Sequence, residues 1–314
     1  MTDRLSPQLV RDLRPTHEPP EPWRPIGVVE EQERGPAGAE TTATLFLAGA
    51  QCPYTCVFCD LWRFTLAAPT PAGAIPAQIE KGLAALVARP RVVKLYNASN
   101  FFDPRAVPES DDDAIFGQLA GLERVVVECH PHLVDERARR YASGIDGRLE
   151  IAMGLETADP SAHAKLGKGT TVRDFERCAE TLAHDAIDLR IFALIGTPYV
   201  APEAQLQSAV ATVAAASAMG ARHVALVPTR GGNGALERLG AAFQPPDLDQ
   251  IEDCFDACLA LSTDAVVTVD LWDLELHASC ESCLGQRRKR LAAMNLDGVV
   301  RPRHACSECA SRRP

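Results

Sequence analysis

The sequence predicts an α/β fold built on a parallel sheet, doubly wound or curled into an incomplete barrel, with a small cysteine-rich piece at its C-terminus. Three observations lead there. Short β-branched apolar runs recur from Thr42 onward, an amphipathic helical pattern separates each from the next, and four paired cysteines close the chain. Strands alternating with helices imply parallel pairing through right-handed crossovers.

The predicted strands are TLFLA (44–48), VVKLY (92–96), RVVVE (124–128), LEIAM (149–153), LRIFALI (189–195) and HVALV (223–227). Helical patterns lie near 77–89, 112–119, 133–142, 171–185 and 202–219. Residues 1–41 are Pro-rich and then Gly/Ala/Glu-rich without apolar periodicity, which reads as an extended arm packed through Trp23. The core domain is expected over 42–245. The segment 246–314 forms an extension: helix LDQIEDCFDACLAL, strand VVTVDLW and a Cys- and Arg-rich tail. No G-x-G-x-x-G follows the first strand, so dinucleotide binding has no support. In either architecture the reactive site lies at the carboxyl ends of the strands, where the polar and unusual residues of this chain fall.

Composition narrows the class. At 314 residues, with 46% hydrophobic and 24% charged residues, the chain can bury a large core. Its start lacks a signal-peptide core, and the most apolar stretch carries Arg222 and His223, so the expectation is a cytoplasmic protein without a membrane span. Eleven cysteines are then not a disulfide framework, and seven of them fall in two tight groups, which points to metal. The formal net charge of −10 is uneven: residues 284–314 carry a local +6 and the remainder −16. A general nucleic-acid surface over the main body is disfavoured, while a basic tail remains.

The first cysteine group follows the first strand, AGAQCPYTCVFCDLWRF, where Cys52, Cys56 and Cys59 are spaced C-x3-C-x2-C. Three thiolates occupy three corners of a cubane [4Fe–4S] cluster and leave the fourth iron open. Structural zinc wants four ligands in C-x2-C pairs, and no fourth ligand lies near in sequence. In the second group, Cys280, Cys283, Cys306 and Cys309 form C-x2-C-x22-C-x2-C, which suits zinc or an auxiliary iron–sulfur cluster. Cys129 and Cys178 read as small buried residues, and Cys254 and Cys258 as a core-facing helical stripe with Phe255 and Leu259.

The loop spacing, its place after strand one and the aromatic Phe58 resemble the signature of the radical S-adenosylmethionine (SAM) superfamily. The nearest likeness is to the branch holding the archaeosine synthase radical SAM subunit and the Elongator catalytic subunit. The resemblance implies an incomplete (β/α)6 TIM-like barrel that binds SAM at the open iron. Reductive cleavage of SAM to a 5′-deoxyadenosyl radical would then start hydrogen abstraction from a substrate. An electron donor of flavodoxin or ferredoxin type is implied with it. By the same resemblance Phe58 lies against the adenine, and Asn97 and Ser99 of NASNFFDP meet the SAM amino group. Glu128 of ECHPHLV and Glu156 of MGLETADP contact SAM, and Arg190 faces its carboxylate. The substrate is open between a small metabolite or peptide and a tRNA base. The competing reading is a non-catalytic metal-binding RNA module, using Arg287, Arg288, Lys289, Arg290, Arg301, Arg303, Arg312 and Arg313 around the C-terminal cysteines.

Overall fold

The fold is described from a computed structural model, which defines residues 4–35 and 38–310. Eight strands lie in one sheet in chain order: β1 Gly27–Gly35, β2 Gly38–Phe46, β3 Val92–Tyr96, β4 Arg124–Glu128, β5 Arg148–Glu156, β6 Asp188–Ile195, β7 His223–Pro228 and β8 Val266–Val269. From β2 to β8 every neighbour is parallel, and β1 is antiparallel to β2. The helices are α1 Pro7–Asp12, α2 Ala74–Ala84, α3 Asp112–Leu119, α4 Glu136–Gly144, α5 Pro160–His163, α6 Val172–His184, α7 Gln205–Ala218, α8 Ala235–Arg238, α9 Leu248–Leu259, α10 Glu281–Asp297 and α11 Ser307–Ala310. The result is a partial TIM-like barrel with a C-terminal four-cysteine extension.

The six predicted strands are β2 to β7, and the structure adds one at each end. Residues 27–35, expected in an extended arm, form β1. The segment shows no apolar periodicity, yet Glu33 turns into the barrel to meet Lys94 and Arg190. Val266–Val269, expected in the C-terminal extension, hydrogen-bonds to β7 and continues the sheet.

Side chains alternate with the strand period of two. Val93 and Leu95, Val125 and Val127, Leu149, Ile151 and Met153, and Leu189 and Ile191 all join the large core under the helices. The intervening residues point inward. Val92, Val126 and Ala152 pack there with Tyr96 and Phe192. Below them the inward charges neutralise one another. Lys94 meets Glu31 and Glu33 at 3.0 Å each, and Arg190 meets Glu33 at 2.8 Å and Glu150 at 2.7 Å. Arg124 bridges Glu150 at 3.1 Å and also pairs with Glu40.

β8 and β1 do not pair with one another, and α10 covers the seam between them. Asn295 accepts from the Val269 N–H and donates to its carbonyl, both at 2.8 Å, while Arg34 donates to the Val267 carbonyl at 2.8 Å. Side chains therefore satisfy backbone groups that would otherwise template strand addition.

Candidate functional site at the carboxyl ends of the strands

The segment after β2 is held as a rigid loop. Gln51 N–H donates to the Leu66 carbonyl at 3.0 Å and Leu66 N–H to Gly49 at 2.8 Å, closing the base. Asn233, beyond β7, donates from Nδ2 to the carbonyls of Val57 at 2.8 Å and Cys59 at 3.3 Å. Trp62 Nε1 donates to the Cys59 carbonyl at 3.1 Å, and Val57 N–H donates to Leu166 at 2.8 Å. The strand-five loop comes so close that a Cβ on Gly167, at φ +84°, would lie 2.6 Å from the Thr55 carbonyl oxygen; only glycine fits.

Cys52, Cys56 and Cys59 are free and partly buried within this loop. Burial raises all three thiols, Cys56 to about 11 against the opposing charge of Lys168. The loop thus presents three desolvated thiols whose ionisation needs a cationic partner.

The turn after β3 lies against Cys52. Asn100 donates from Nδ2 to the Cys52 sulfur at 3.2 Å and accepts the His130 N–H at 2.8 Å. Ala98 sits at φ +54°, a strained backbone state for a residue with a side chain. Around it, Asn97 Nδ2, Ser99 Oγ and Glu128 Oε1 are buried with no hydrogen-bond partner. Desolvation of a partnerless polar atom costs about 1–3 kcal/mol, so three together mark a place built for a polar ligand. Burial raises the Glu128 carboxyl to about 7, against the backbone N–H groups of Ala98, Asn97 and Ser99.

After β5 the chain bulges between Gly154 and Glu156, and Glu156 adopts φ +66°. The bulge re-aims Glu156 to a buried ion pair with Lys168 at 3.0 Å. Lys168 stays charged: burial is outweighed by Glu156 and then by Cys56. Its ammonium also stands 5.7 Å from the Phe58 ring centroid. A capping box at the start of α6, with Thr171 N–H donating to Asp174 at 2.7 Å, anchors the chain just beyond. His130, in the ECHPHLV segment, stacks on Tyr54 at 3.8 Å. Its Nε2 donates to the Lys168 carbonyl at 3.1 Å and its Nδ1 accepts from His132 N–H at 3.3 Å, which fixes a neutral imidazole. Burial, then Lys168, lowers its pKa to about 3. His130 is a loop fastener.

No family model and no curated protein matches the sequence. Solved structures do. The archaeal Elp3 of Methanocaldococcus infernus superposes with a TM-score of 0.51 at 11% identity, covering 71% of this chain and 59% of its own. Methylornithine synthase (PylB) gives 0.51 at 13% identity, covering 72% of this chain and 64% of its own. The chain shares the fold of these two proteins. The chain spans less than two thirds of the length of both of those proteins.

Within this barrel, the structure gathers Cys52, Cys56, Cys59, Phe58, Asn97, Ser99, Glu128 and Glu156 at the mouth. Arg190 is not among them. It pairs in register with Ala152 and His223, while Glu156 pairs with Ala193. At about 3.3 Å per residue, Arg190 lies roughly 10 Å deeper. Its donors are taken by Glu33 and Glu150, and those carboxylates hold its charge against burial. The expectation that it meets the SAM carboxylate is corrected on that ground. Arg190→Met is expected to cost about 3–5 kcal/mol in a denaturant titration, because two carboxylates lose their buried cation. SAM affinity in the folded variant should be unchanged.

Two residues of the site escaped sequence analysis. Lys168 and Asn233 carry no individual signal in the sequence. Their partners are 12 residues away for Lys168 and as far as 176 for Asn233, so no local spacing signals them.

In the extension, the sulfurs of Cys280 and Cys306 lie 3.8 Å apart and those of Cys283 and Cys309 3.6 Å apart, with all four within 4.8 Å of one another. Cys280 caps α10 and Cys283 sits in its first turn. The adjoining arginines pair with acidic side chains, Arg287 and Arg290 buried and Arg288, Arg301 and Arg303 at the surface. Arg287 binds Glu252 and Asp249, Arg290 binds Asp256, Arg303 binds Asp253 and Asp256, Arg288 binds Glu275, and Arg301 binds Asp297. Arg312 and Arg313 lie outside the described residues. No helix among the described residues is long and apolar enough to cross a membrane. Cys254 and Cys258 are fully buried core residues, and Cys129 and Cys178 are also buried.

Proposed function

We propose that this protein is a radical SAM enzyme, with a [4Fe–4S] cluster on Cys52, Cys56 and Cys59 and SAM in the turn beside it. The observation that carries the reading is the trio of partnerless polar atoms on Asn97, Ser99 and Glu128, set against the Cys52 thiol. When bound, the cluster and SAM supply reductive cleavage to a 5′-deoxyadenosyl radical that abstracts hydrogen from a substrate. Glu128 would accept the SAM ammonium, with Asn97 and Ser99 orienting it. Phe58 offers a face to the adenine. Glu156, fixed by Lys168, would bind the ribose hydroxyls and bring Lys168 to the thiolate side of the loop. Asn233 and Trp62 hold the loop rigid, so the thiolates need little reorganisation.

A small metabolite or peptide substrate fits better than RNA, because Arg287 and Arg290 are held by buried carboxylates and the other arginines of the segment are paired with acidic neighbours. The four C-terminal cysteines are read as a zinc site. Tetrahedral ligands at about 2.3 Å from one ion stand about 3.8 Å apart, close to the separations seen, whereas a cubane spreads its thiolates over four irons.

The test is anaerobic incubation of reconstituted, dithionite-reduced protein with SAM. Formation of 5′-deoxyadenosine and methionine is expected; intact SAM beside a fully reduced cluster would refute the assignment. A pH dependence follows from Glu128. Its carboxyl titrates near 7 in the folded, ligand-free protein and about 4.3 in an unfolded chain. The proton it retains stabilises the fold below about pH 4.3, and that stability is lost as pH rises through about 7. SAM binding runs the opposite way, since an ammonium selects the carboxylate. The SAM dissociation constant measured by equilibrium dialysis should fall as pH rises through 7, and Glu128→Gln should flatten the profile and weaken binding.

A further inference from the structure

The N-terminal segment does not stay clear of the site. Ser6 caps α1, its Oγ accepting the Leu9 N–H at 3.2 Å. Val10, only 4% exposed, enters an apolar cluster with Val57, Leu166, Leu236 and Leu239, joined by Leu5 and Tyr199. The Leu13 carbonyl presses so closely on Gly234, at φ +85°, that a Cβ there would stand 2.0 Å from the oxygen. His17 sets its edge on the Trp62 ring at 5.1 Å, and Trp62 in turn holds Cys59. The segment from Ser6 to His17 is thus a strap seated across the cysteine loop.

The strap carries Arg14 to the cysteine loop. Its guanidinium carbon lies 5.3 Å from the Trp62 ring centroid. Its Nε is buried without a partner. Burial draws the guanidinium below its usual value, opposed by Cys59 and, more weakly, by Cys52 and Cys56. The contact with Trp62 leaves the Nε donor unspent, and a buried donor beside the cysteine loop calls for an acceptor that arrives with the group the loop holds.

We propose that Arg14 is the counter-charge of the iron–sulfur cluster, donating from Nε to a cluster or thiolate sulfur and favouring the reduced state. This rests on the cluster reading above. Taking up one electron from a low-potential donor adds one negative charge to a poorly solvated loop, and a cation fixed beside the sulfurs lowers the cost of that charge. Hydrogen bonds to sulfur act on the potential in the same direction, whereas the exclusion of water opposes it. Arg14 is therefore a tuning residue, and the strap is the device that positions it and keeps water from the cluster.

The test is a mediated redox titration followed by EPR on full-length wild type, Arg14→Gln, Arg14→Lys and Val10→Asp, with iron per chain measured for each. Arg14→Gln is expected to keep its iron but show a more negative midpoint, so that the reduced fraction at a fixed potential falls several-fold. Arg14→Lys should recover part of the shift. Val10→Asp, which unseats the strap without touching Arg14, should shift the midpoint in the same direction but by less, because the water it admits offsets part of the lost charge. It should also speed alkylation of the loop thiols in metal-free protein. An unchanged midpoint in Arg14→Gln with full iron overturns the proposal, as does a loss confined to SAM affinity. Wild type without iron would overturn the parent reading and this one with it, whereas failure of Arg14 alone leaves the parent reading standing.

Discussion

Cys56→Ala is expected to abolish 5′-deoxyadenosine formation and most of the bound iron while leaving the barrel folded. The effect is large because a cubane on three thiolates has no spare protein ligand, and the Cys56 thiol lies beside the Lys168 charge. The fold survives because the cysteine loop is fastened by other residues. Val57 N–H binds Leu166, Asn233 binds the Val57 carbonyl, and Leu66 closes the base. Iron content, visible absorbance and product release check the first claim. An unchanged thermal transition of the metal-free variant, measured against metal-free wild type, checks the second. Normal turnover in the variant would remove the loop from the chemistry altogether.

Cys283→Ala should act on stability and leave the chemistry formally intact. Cys283 is 1% exposed at the first turn of α10, the helix that covers the β1–β8 seam through Asn295. Loss of one of four thiolates releases the metal, and with it the pin that holds the N-terminal end of α10. The expected cost is about 4 kcal/mol or more, a magnitude reserved for loss of a metal, a core or a buried network. Metal analysis should show wild type carrying zinc that persists when Cys52, Cys56 and Cys59 are all replaced. Cobalt substitution should give the intense visible bands of a tetrahedral thiolate site. Iron that remains in the loop-cysteine variant, with the EPR signature of a cluster, would replace zinc by an auxiliary centre.

How far these features were legible in the sequence depends on the range of the interaction. The six central strands were readable because each outward face feeds one continuous core and each run is bounded by a loop. The two cysteine groups were readable because ligand spacing is local. β1 was not, since Glu30, Glu31, Gln32, Glu33 and Arg34 look solvated. Glu33 is buried only because Lys94 and Arg190 come from strands 61 and 157 residues away. The same distant partners explain why Arg190 was misjudged as a ligand contact. The Glu156–Lys168 pair depends on a bulge that no propensity announces. Asn97, Ser99 and Glu128 were placed by resemblance alone; what the structure adds is that their polar atoms stand buried and unpartnered together.

The central claim is that three loop thiols hold a cubane with one iron left for SAM. EPR of the anaerobically reconstituted, reduced protein, recorded with and without SAM, tests it most directly. The account predicts the iron of one cubane at the loop and a spectrum that changes when SAM is added. A loop that binds zinc or nothing, or a cluster signal indifferent to SAM, would contradict it.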